Sequence, residues 1–418
     1  MQNPLISALK VPSFSFLLVS EFFSQFAMNL LNFILIIVVF QLSSSNLAVA
    51  GVILSFTLPS ILFGILAGVL VDRWNKKRVL VYTNILRAAA AFPLILISNE
   101  LFFIYLLTFL VSLVTQFFVP AETPIIPQLV PKYLLLPANA LFSMGIFGSI
   151  IVAYALSGPF LLIFGSVNIF IFVTFLFIAA GVFAILIKFN IPNNGLNKGR
   201  IEIFKEVRDS FTLIAKKEKI YHSLFILTLL QTLILVIAVI GPGYATSILK
   251  IQVEKFPLLF VTPAVVGMGI GAIIIGNFLH KRSKQTLVKF GLLIIGLIVL
   301  IFPHGGLITS REFIHQVNQN LPNIMSINDV HIMMIMAIIV GFAFSLVFVP
   351  SNTMIQEETT DSQRGKIYGT LNTFVGAVSI APVLGVGIVA DLFGIGRVLT
   401  LIGMIIILAS VILFWKYK

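Results

Sequence analysis

The chain has 418 residues, of which 59% are hydrophobic and only 10% charged, with 40 phenylalanines and no cysteine; its mean hydropathy is +1.10. Soluble domains carry roughly 25% charged residues, so this composition excludes a water-soluble globular protein and makes the bilayer the solvent. The net charge of +12 would suggest nucleic acid on a soluble surface, but here it marks membrane sidedness, and no nucleic-acid partner is expected. The absence of cysteine excludes disulfides, thiolate metal sites and cysteine nucleophiles.

The opening MQNPLISALKVP lacks a basic stretch, a short apolar run and a small-residue cleavage site, so the first apolar segment is expected to stay as a span. Uncharged apolar runs of about 20 residues read as transmembrane helices. They fall near 14–41, 47–71, 79–97, 101–125, 137–164 and 167–187, and again near 221–249, 257–279, 287–307, 330–353, 367–390 and 395–415. No Asp, Glu, Lys or Arg occurs between Lys132 and Lys188, which predicts two spans joined by a tight turn at Gly165-Ser166. The expected fold class is an all-α membrane protein of twelve transmembrane helices. Residues 1–188 and 221–418 would form two pseudo-symmetric six-helix bundles, joined by a linker at 189–220.

With twelve spans both termini lie on one side, and 22 of the 27 Lys and Arg fall on that side. By the positive-inside rule both termini are cytoplasmic. The expected setting is the plasma (inner) membrane of a prokaryote, with membrane lipids as partners and a monomer as the working unit. In the linker, Ile201, Phe204, Val207, Phe211 and Ile214 recur at three- and four-residue spacing among charges, as in an amphipathic helix lying on the inner leaflet.

The two halves carry a repeat. FVPAET at Phe118–Thr123 ends the fourth predicted helix and FVPSNT at Phe348–Thr353 ends the tenth, while Gly158-Pro159 and Ala381-Pro382 sit at similar depths in the fifth and eleventh. Duplicated six-helix halves are the plan of secondary transporters, with the substrate site at the midplane.

Polar side chains inside spans are costly and mark functional positions. Glu21, Gln25, Asn29 and Asn32 share one face of the first helix. Thr108, Ser112, Thr115, Gln116 and Glu122 repeat the pattern on the fourth, and Thr228, Gln231 and Thr232 on the seventh. Gln25, Asn29, Asn32, Ser112, Thr115, Gln116 and Gln231 are the candidate lining of an aqueous substrate cavity. Interhelical hydrogen bonding is the alternative for each of them. Glu21, Arg87 and Glu122 are candidates for proton coupling, because a carboxyl taken out of water holds its proton more tightly. A static ion pair, or Arg87 reaching to the headgroups, is the other reading.

No phosphate-binding GxxxxGK[ST] loop is present, so no ATP drive is expected in this chain. The spacings of His304, His315 and His331 match no metal motif, and neither a Ser-His-Asp set nor a paired-carboxylate arrangement stands out. Neither metal, cofactor nor enzymatic activity is expected.

The most specific local pattern is Gly68-Val69-Leu70-Val71-Asp72-Arg73-Trp74-Asn75-Lys76-Lys77-Arg78. It resembles the major facilitator superfamily signature GxxxDRxGRKR, with Asn75 in place of the second glycine. Glycine there suits a left-handed backbone, which Asn adopts next most readily, and Gly68 would allow close helix approach. The resemblance implies the major facilitator fold. It also implies a cytoplasmic gate of Gly68, Asp72, Arg73 and Arg78 against the start of the eleventh helix near Arg364. Gly145 followed by Gly158-Pro159 is similar to the superfamily's antiporter motif in the fifth helix. FVPAETPIIPQLVPKYLLLPANALFSMG together with QEETTDSQRGKIYG resembles the drug-exporter branch that contains macrolide-efflux proteins and the enterobactin exporter.

The expected function is secondary active export of amphipathic small molecules, such as macrolides or siderophores, in exchange for protons through alternating access. Two alternatives stay open. One is a proton-coupled importer of a nutrient, siderophore or lysolipid; the other is a membrane interaction protein that transports nothing.

Overall fold

The computed structural model of the chain describes residues 4–97, 99–188, 218–279, 282–304, 329–359 and 361–416. A short helix, Pro4–Leu9, precedes the first long one. The spanning helices are α1 (Pro12–Ser43), α2 (Asn46–Arg73), α3 (Lys76–Ala91) and α4 (Leu101–Glu122), then α5 (135–164) and α6 (166–186). They continue with α7 (Glu218–Ser247), α8 (Thr262–Ile274, prolonged to a full span by π-helical turns at Pro257–Val261 and Ile275–Leu279), α9 (Lys284–Ile301), α10 (Asp329–Glu358), α11 (Asp361–Phe393) and α12 (Ile395–Lys416). No strand occurs among the described residues. A helix meets its own backbone hydrogen-bonding needs, which is what hydrocarbon demands.

Leu135–Leu186 is a 52-residue helical run broken at Gly165, whose φ of 76° and ψ of 170° are non-helical. A straight helix of that length would extend about 78 Å, more than twice the roughly 30 Å of hydrocarbon. The chain reverses there instead. The rings of Phe160 and Phe172 lie 5.3 Å apart, as do those of Phe164 and Phe172, contacts that an unbroken helix could not make. The backbone at Gly165 belongs to a region that essentially only glycine occupies, so one residue makes the hairpin that the uncharged stretch predicts. With that break, the eleven apolar segments among the described residues that are long enough to cross a bilayer become twelve spans.

The repeat survives in three dimensions as pairs of helix-interior prolines. Pro120 and Pro350 lie within α4 and α10, and Pro159 and Pro382 within α5 and α11. The span predicted at 79–97 is divided: α3 stops at Ala91, and a turn at Phe92-Pro93 leads into the short helix Leu94–Ile97.

The chain groups into two units, the first comprising Met1–Leu42 and Gly51–Gly199, the second Ser43–Ala50 and Arg200–Lys418. The first unit is stitched by small hydroxyls, as expected where apolar surface gives helices no reason to associate in lipid. Ser20 Oγ of α1 donates to the Ala180 carbonyl of α6 at 2.8 Å, Ser13 Oγ to the Lys188 carbonyl at 2.9 Å, and Ser112 Oγ of α4 to the Phe56 carbonyl of α2 at 2.6 Å.

In the second unit α8 and α10 approach through paired glycines. A Cβ at Gly341 would strike the Ala264 carbonyl, and one at Gly267 the Ile338 carbonyl. Ser410 Oγ of α12 donates to the Lys289 carbonyl of α9 at 2.9 Å. At one end of this unit Asp391 of α11 caps the start of α2. Its carboxylate accepts from the Asn46 and Leu47 backbone N–H groups at 2.8 and 3.0 Å and from Ser45 Oγ at 2.6 Å.

Candidate functional site

α1 is the most enclosed helix of the first unit, and what its inner half leaves accessible is mostly polar. From Ser24 to Phe40 every residue is buried except Gln25, Asn29, Asn32 and Phe33. Elsewhere the accessible surface is that of a lipid-facing protein, with Leu62, Leu66, Phe102 and Phe175 each more than half exposed. The polar face of α1 therefore divides in two. Gln25, Asn29 and Asn32 form an accessible stripe, and Glu21, 1% exposed, is packed away.

Glu21 joins Arg87 of α3 and Glu122, the last residue of α4; Arg87 is 1% and Glu122 3% exposed. Glu21 lies about 14 Å from the start of α1 and Arg87 about 17 Å from the start of α3, too deep to reach bulk water. Arg87 feels the charges of both acids. Its own contacts, however, are with neutral groups. Nη2 donates to Asn84 Oδ1 at 3.0 Å and Nε to the Thr83 carbonyl at 3.4 Å. The guanidinium carbon lies 4.2 Å from the centre of the Phe118 ring and 5.2 Å from that of Phe177, a cation–π contact with each.

The carboxyl of Glu122 is within hydrogen-bonding reach of Glu21. Yet with both acids ionised no donor reaches either Glu21 oxygen or Glu122 Oε2. Both observations describe one arrangement: two acids that face each other form a hydrogen bond only when a proton sits between them. Counted fully ionised, two acids and one base leave a net charge of −1 in a medium that penalises charge steeply. One proton makes the cluster neutral.

The other sequence candidates fall into groups. Asn29 Nδ2 donates to the Gln25 carbonyl at 2.7 Å, and Asn32 Oδ1 has no donor. Thr115 Oγ1 donates to the Val111 carbonyl at 2.8 Å and lies 3.7 Å from Met28 Sδ, and Gln116 Nε2 donates to the Ser112 carbonyl at 3.2 Å. Ser112 is buried and its hydroxyl is taken up in the tie to α2. Gln231 is half-buried on α7, next to Thr232, whose hydroxyl is buried without a partner. Gly145 and Gly158-Pro159 lie on α5, and a Cβ at Gly145 would come 3.1 Å from Leu18 of α1.

Around the basic motif one expectation is corrected. Asn75 has φ −67° and ψ 107°, extended rather than left-handed, because its side chain caps α3 by accepting from the Arg78 N–H. Among the described residues nothing lies within 4 Å of a Cβ placed at Gly68. Arg78 is exposed. The side chains of Asp72, Arg73 and Arg364 lie outside the described residues, as do His315 and the predicted amphipathic segment 201–214.

Asn84, Ser24, Thr83 and Phe177 escaped the sequence reading. Asn84 stands three residues before Arg87 on the same helical face, a spacing that could have flagged it.

Twelve apolar spans in two halves, a polar stripe on an otherwise packed helix and a buried cluster of ionisable groups define the class: a multi-pass helical membrane transporter. The sequence profile described as Major Facilitator Superfamily matches residues 17–381, and the chain belongs to that superfamily. It is 25% identical over 390 residues to YfiS of Bacillus subtilis (strain 168), an uncharacterized MFS-type transporter, covering 91% of this chain and 87% of that one. Among solved structures it resembles a mutant of the nucleoside transporter NupG (TM-score 0.75, 13% identity, 97% of this chain and 100% of that one). It also resembles the POT family transporter PepTSo (TM-score 0.72, 14% identity, 96% and 97%). A bacterial homolog of the human lysosomal transporter Spinster, in an inward-facing and occupied conformation, matches with a TM-score of 0.71 at 13% identity over 99% and 97%. At these identities the likeness is one of fold.

Proposed function

We propose that this transporter exports amphipathic small molecules, such as macrolides or siderophores, from the cytoplasm of a prokaryote across its inner membrane in exchange for protons. The observation that carries the proton is the buried Glu21–Arg87–Glu122 cluster, two acids without donors beside one base. Buried unpaired acids in a transporter are the groups that can take up a proton on one side and release it on the other as access alternates.

The accessible polar stripe of Gln25, Asn29 and Asn32 supports a substrate path along α1. Phe22 and Phe33, partly accessible on the same helix, supply aromatic surface for partly apolar ligands. Export is supported by Gly145 and Gly158-Pro159 on α5 and by the resemblance to the drug-exporter branch. The excess of Lys and Arg in the basic loops supports cytoplasmic termini, on the side where Asp72, Arg73, Arg78 and Arg364 would form the gate.

The test uses purified protein in sealed liposomes under an imposed proton gradient, with a panel of lipophilic drugs, a macrolide and a siderophore. Substrate movement opposite to the protons, reversing with gradient polarity and collapsing in Glu21→Gln, is the expected result. Movement in the direction of the protons would replace export by symport, and movement indifferent to the gradient would remove proton coupling.

A further inference from the structure

Asn84 is fully buried on α3 and every hydrogen-bonding capacity of its amide that the cluster needs is in use. Its Oδ1 accepts from Arg87 Nη2 at 3.0 Å and from Ser24 Oγ of α1 at 3.0 Å, while its Nδ2 donates to the Leu80 carbonyl at 2.9 Å. The amide cannot be turned over without setting Nδ2 against the Arg87 donor and Oδ1 against the Leu80 carbonyl, so its orientation is fixed by its partners. Through Asn84 the head of Arg87 is tied to α1 at Ser24, one turn beyond Glu21. With the Phe118 and Phe177 rings within 4.2 and 5.2 Å of it, the guanidinium is seated on neutral groups.

We propose that Asn84 is a positioning residue, which seats Arg87 on neutral partners as a fixed counter-charge and leaves Glu21 and Glu122 to share one exchangeable proton. The charge count requires one proton for neutrality, and the missing donors at both Glu21 oxygens and Glu122 Oε2 show where it fits. Among the described residues the other titratable side chains of α3 and α4 stand apart from the cluster: Lys76, Lys77 and Arg78 are at the start of α3, Tyr82 is exposed, and Tyr105 is 17 residues before Glu122. α6 brings Phe177 to the cluster, and neither α2 up to Val71 nor α5 carries an Asp, Glu, Lys, Arg or His. Tyr154 of α5 packs on Phe33, with ring centres 5.3 Å apart. This inference deepens the proton-coupling reading and rests on the site assigned there.

The experiment follows the carboxylic-acid C=O band by infrared spectroscopy of the protein in lipid across a pH titration, which requires no substrate. The protein should show a titrating band that is lost in both Glu21→Gln and Glu122→Gln, because either variant leaves one acid opposite one base and needs no proton. A titrating band that survives replacement of either acid would overturn the sharing, because the proton would then belong to the acid that remains whatever the charge of its neighbour. Asn84→Asp adds an anion hydrogen-bonded to Arg87 and cancels its charge, so the band should persist to a pH about 1–3 units higher. Asn84→Ser withdraws the acceptor from Nη2 and frees Arg87 to approach the acids, so the band should vanish at lower pH. It serves also if Asn84→Asp does not fold. Titrations of both folded variants that coincide with the parent would overturn the role of Asn84. Gradient-indifferent transport with the band present would instead remove the coupling reading and leave the shared proton standing.

Discussion

Phe118 lies beneath Arg87 with its ring centre 4.2 Å from the guanidinium carbon, and it stands four residues before Glu122 on α4. One helical face thus presents both an aromatic seat for the cation and an acid that senses it. The seat holds the cation without neutralising it, which an ion pair would do.

Phe118→Leu keeps apolar volume and removes the ring. A desolvated cation–π contact contributes about 2 kcal/mol, so the variant should unfold at lower temperature in detergent. An unchanged unfolding midpoint would show that the ring acts as filler.

Arg87→Met strands two acids in the bundle, and breaking a buried ionic group on one side costs about 3–5 kcal/mol. Adding Glu122→Gln removes one of the stranded charges. The double variant should therefore be more stable than Arg87→Met alone, a sign that independent sites would not give. Thermal unfolding of the two variants and the parent decides it.

Gly341→Ala places a methyl against the Ala264 carbonyl where α8 and α10 touch. Forcing such an interface apart costs about 1–3 kcal/mol. Gly276→Ala, where a Cβ would meet nothing within 4 Å, should leave the unfolding temperature nearly unchanged.

Asp391→Ala removes the acceptor for the first N–H groups of α2. A lost helix cap costs about 0.5–2 kcal/mol, and the loss is local. Amide hydrogen exchange at Asn46 and Leu47 should accelerate while that of the middle of α2 stays slow. Unchanged exchange at those two amides would mean that the cap contributes nothing in the membrane.

Much of the architecture was legible in the sequence because hydrocarbon leaves the chain few options: long uncharged runs must be helices. The hairpin at Gly165 could be read from the missing charges on either side of it. Boundaries were harder to see, as at Phe92-Pro93, where a turn interrupts what composition alone reads as one span. Lys289, which belongs by sequence to a basic loop, is 7% exposed inside α9, because a helix end is set by packing rather than by the last charge. At the candidate site, Glu21, Arg87 and Glu122 stood out as ionisable groups in spans. The part of Asn84 did not, since a lone amide in a span looks like any interhelical bond until its two donors, one on a neighbouring helix, are known. Asn75 misled in the opposite direction: the residue type permits a left-handed turn, but the helix that follows needed a cap.

The single-residue reversal at Gly165 bears on how the protein enters its membrane. A loop of ordinary length between α5 and α6 would carry polar side chains and solvated backbone that must cross the hydrocarbon to reach the far surface. Here there is almost nothing to carry. The stretch from Lys132 to Lys188 holds no charged residue to drag through, and Phe160, Phe164 and Phe172 already pack across the bend. The two helices can insert together as one preassembled wedge, leaving no segment on the far side long enough for a protease or an antibody to grip.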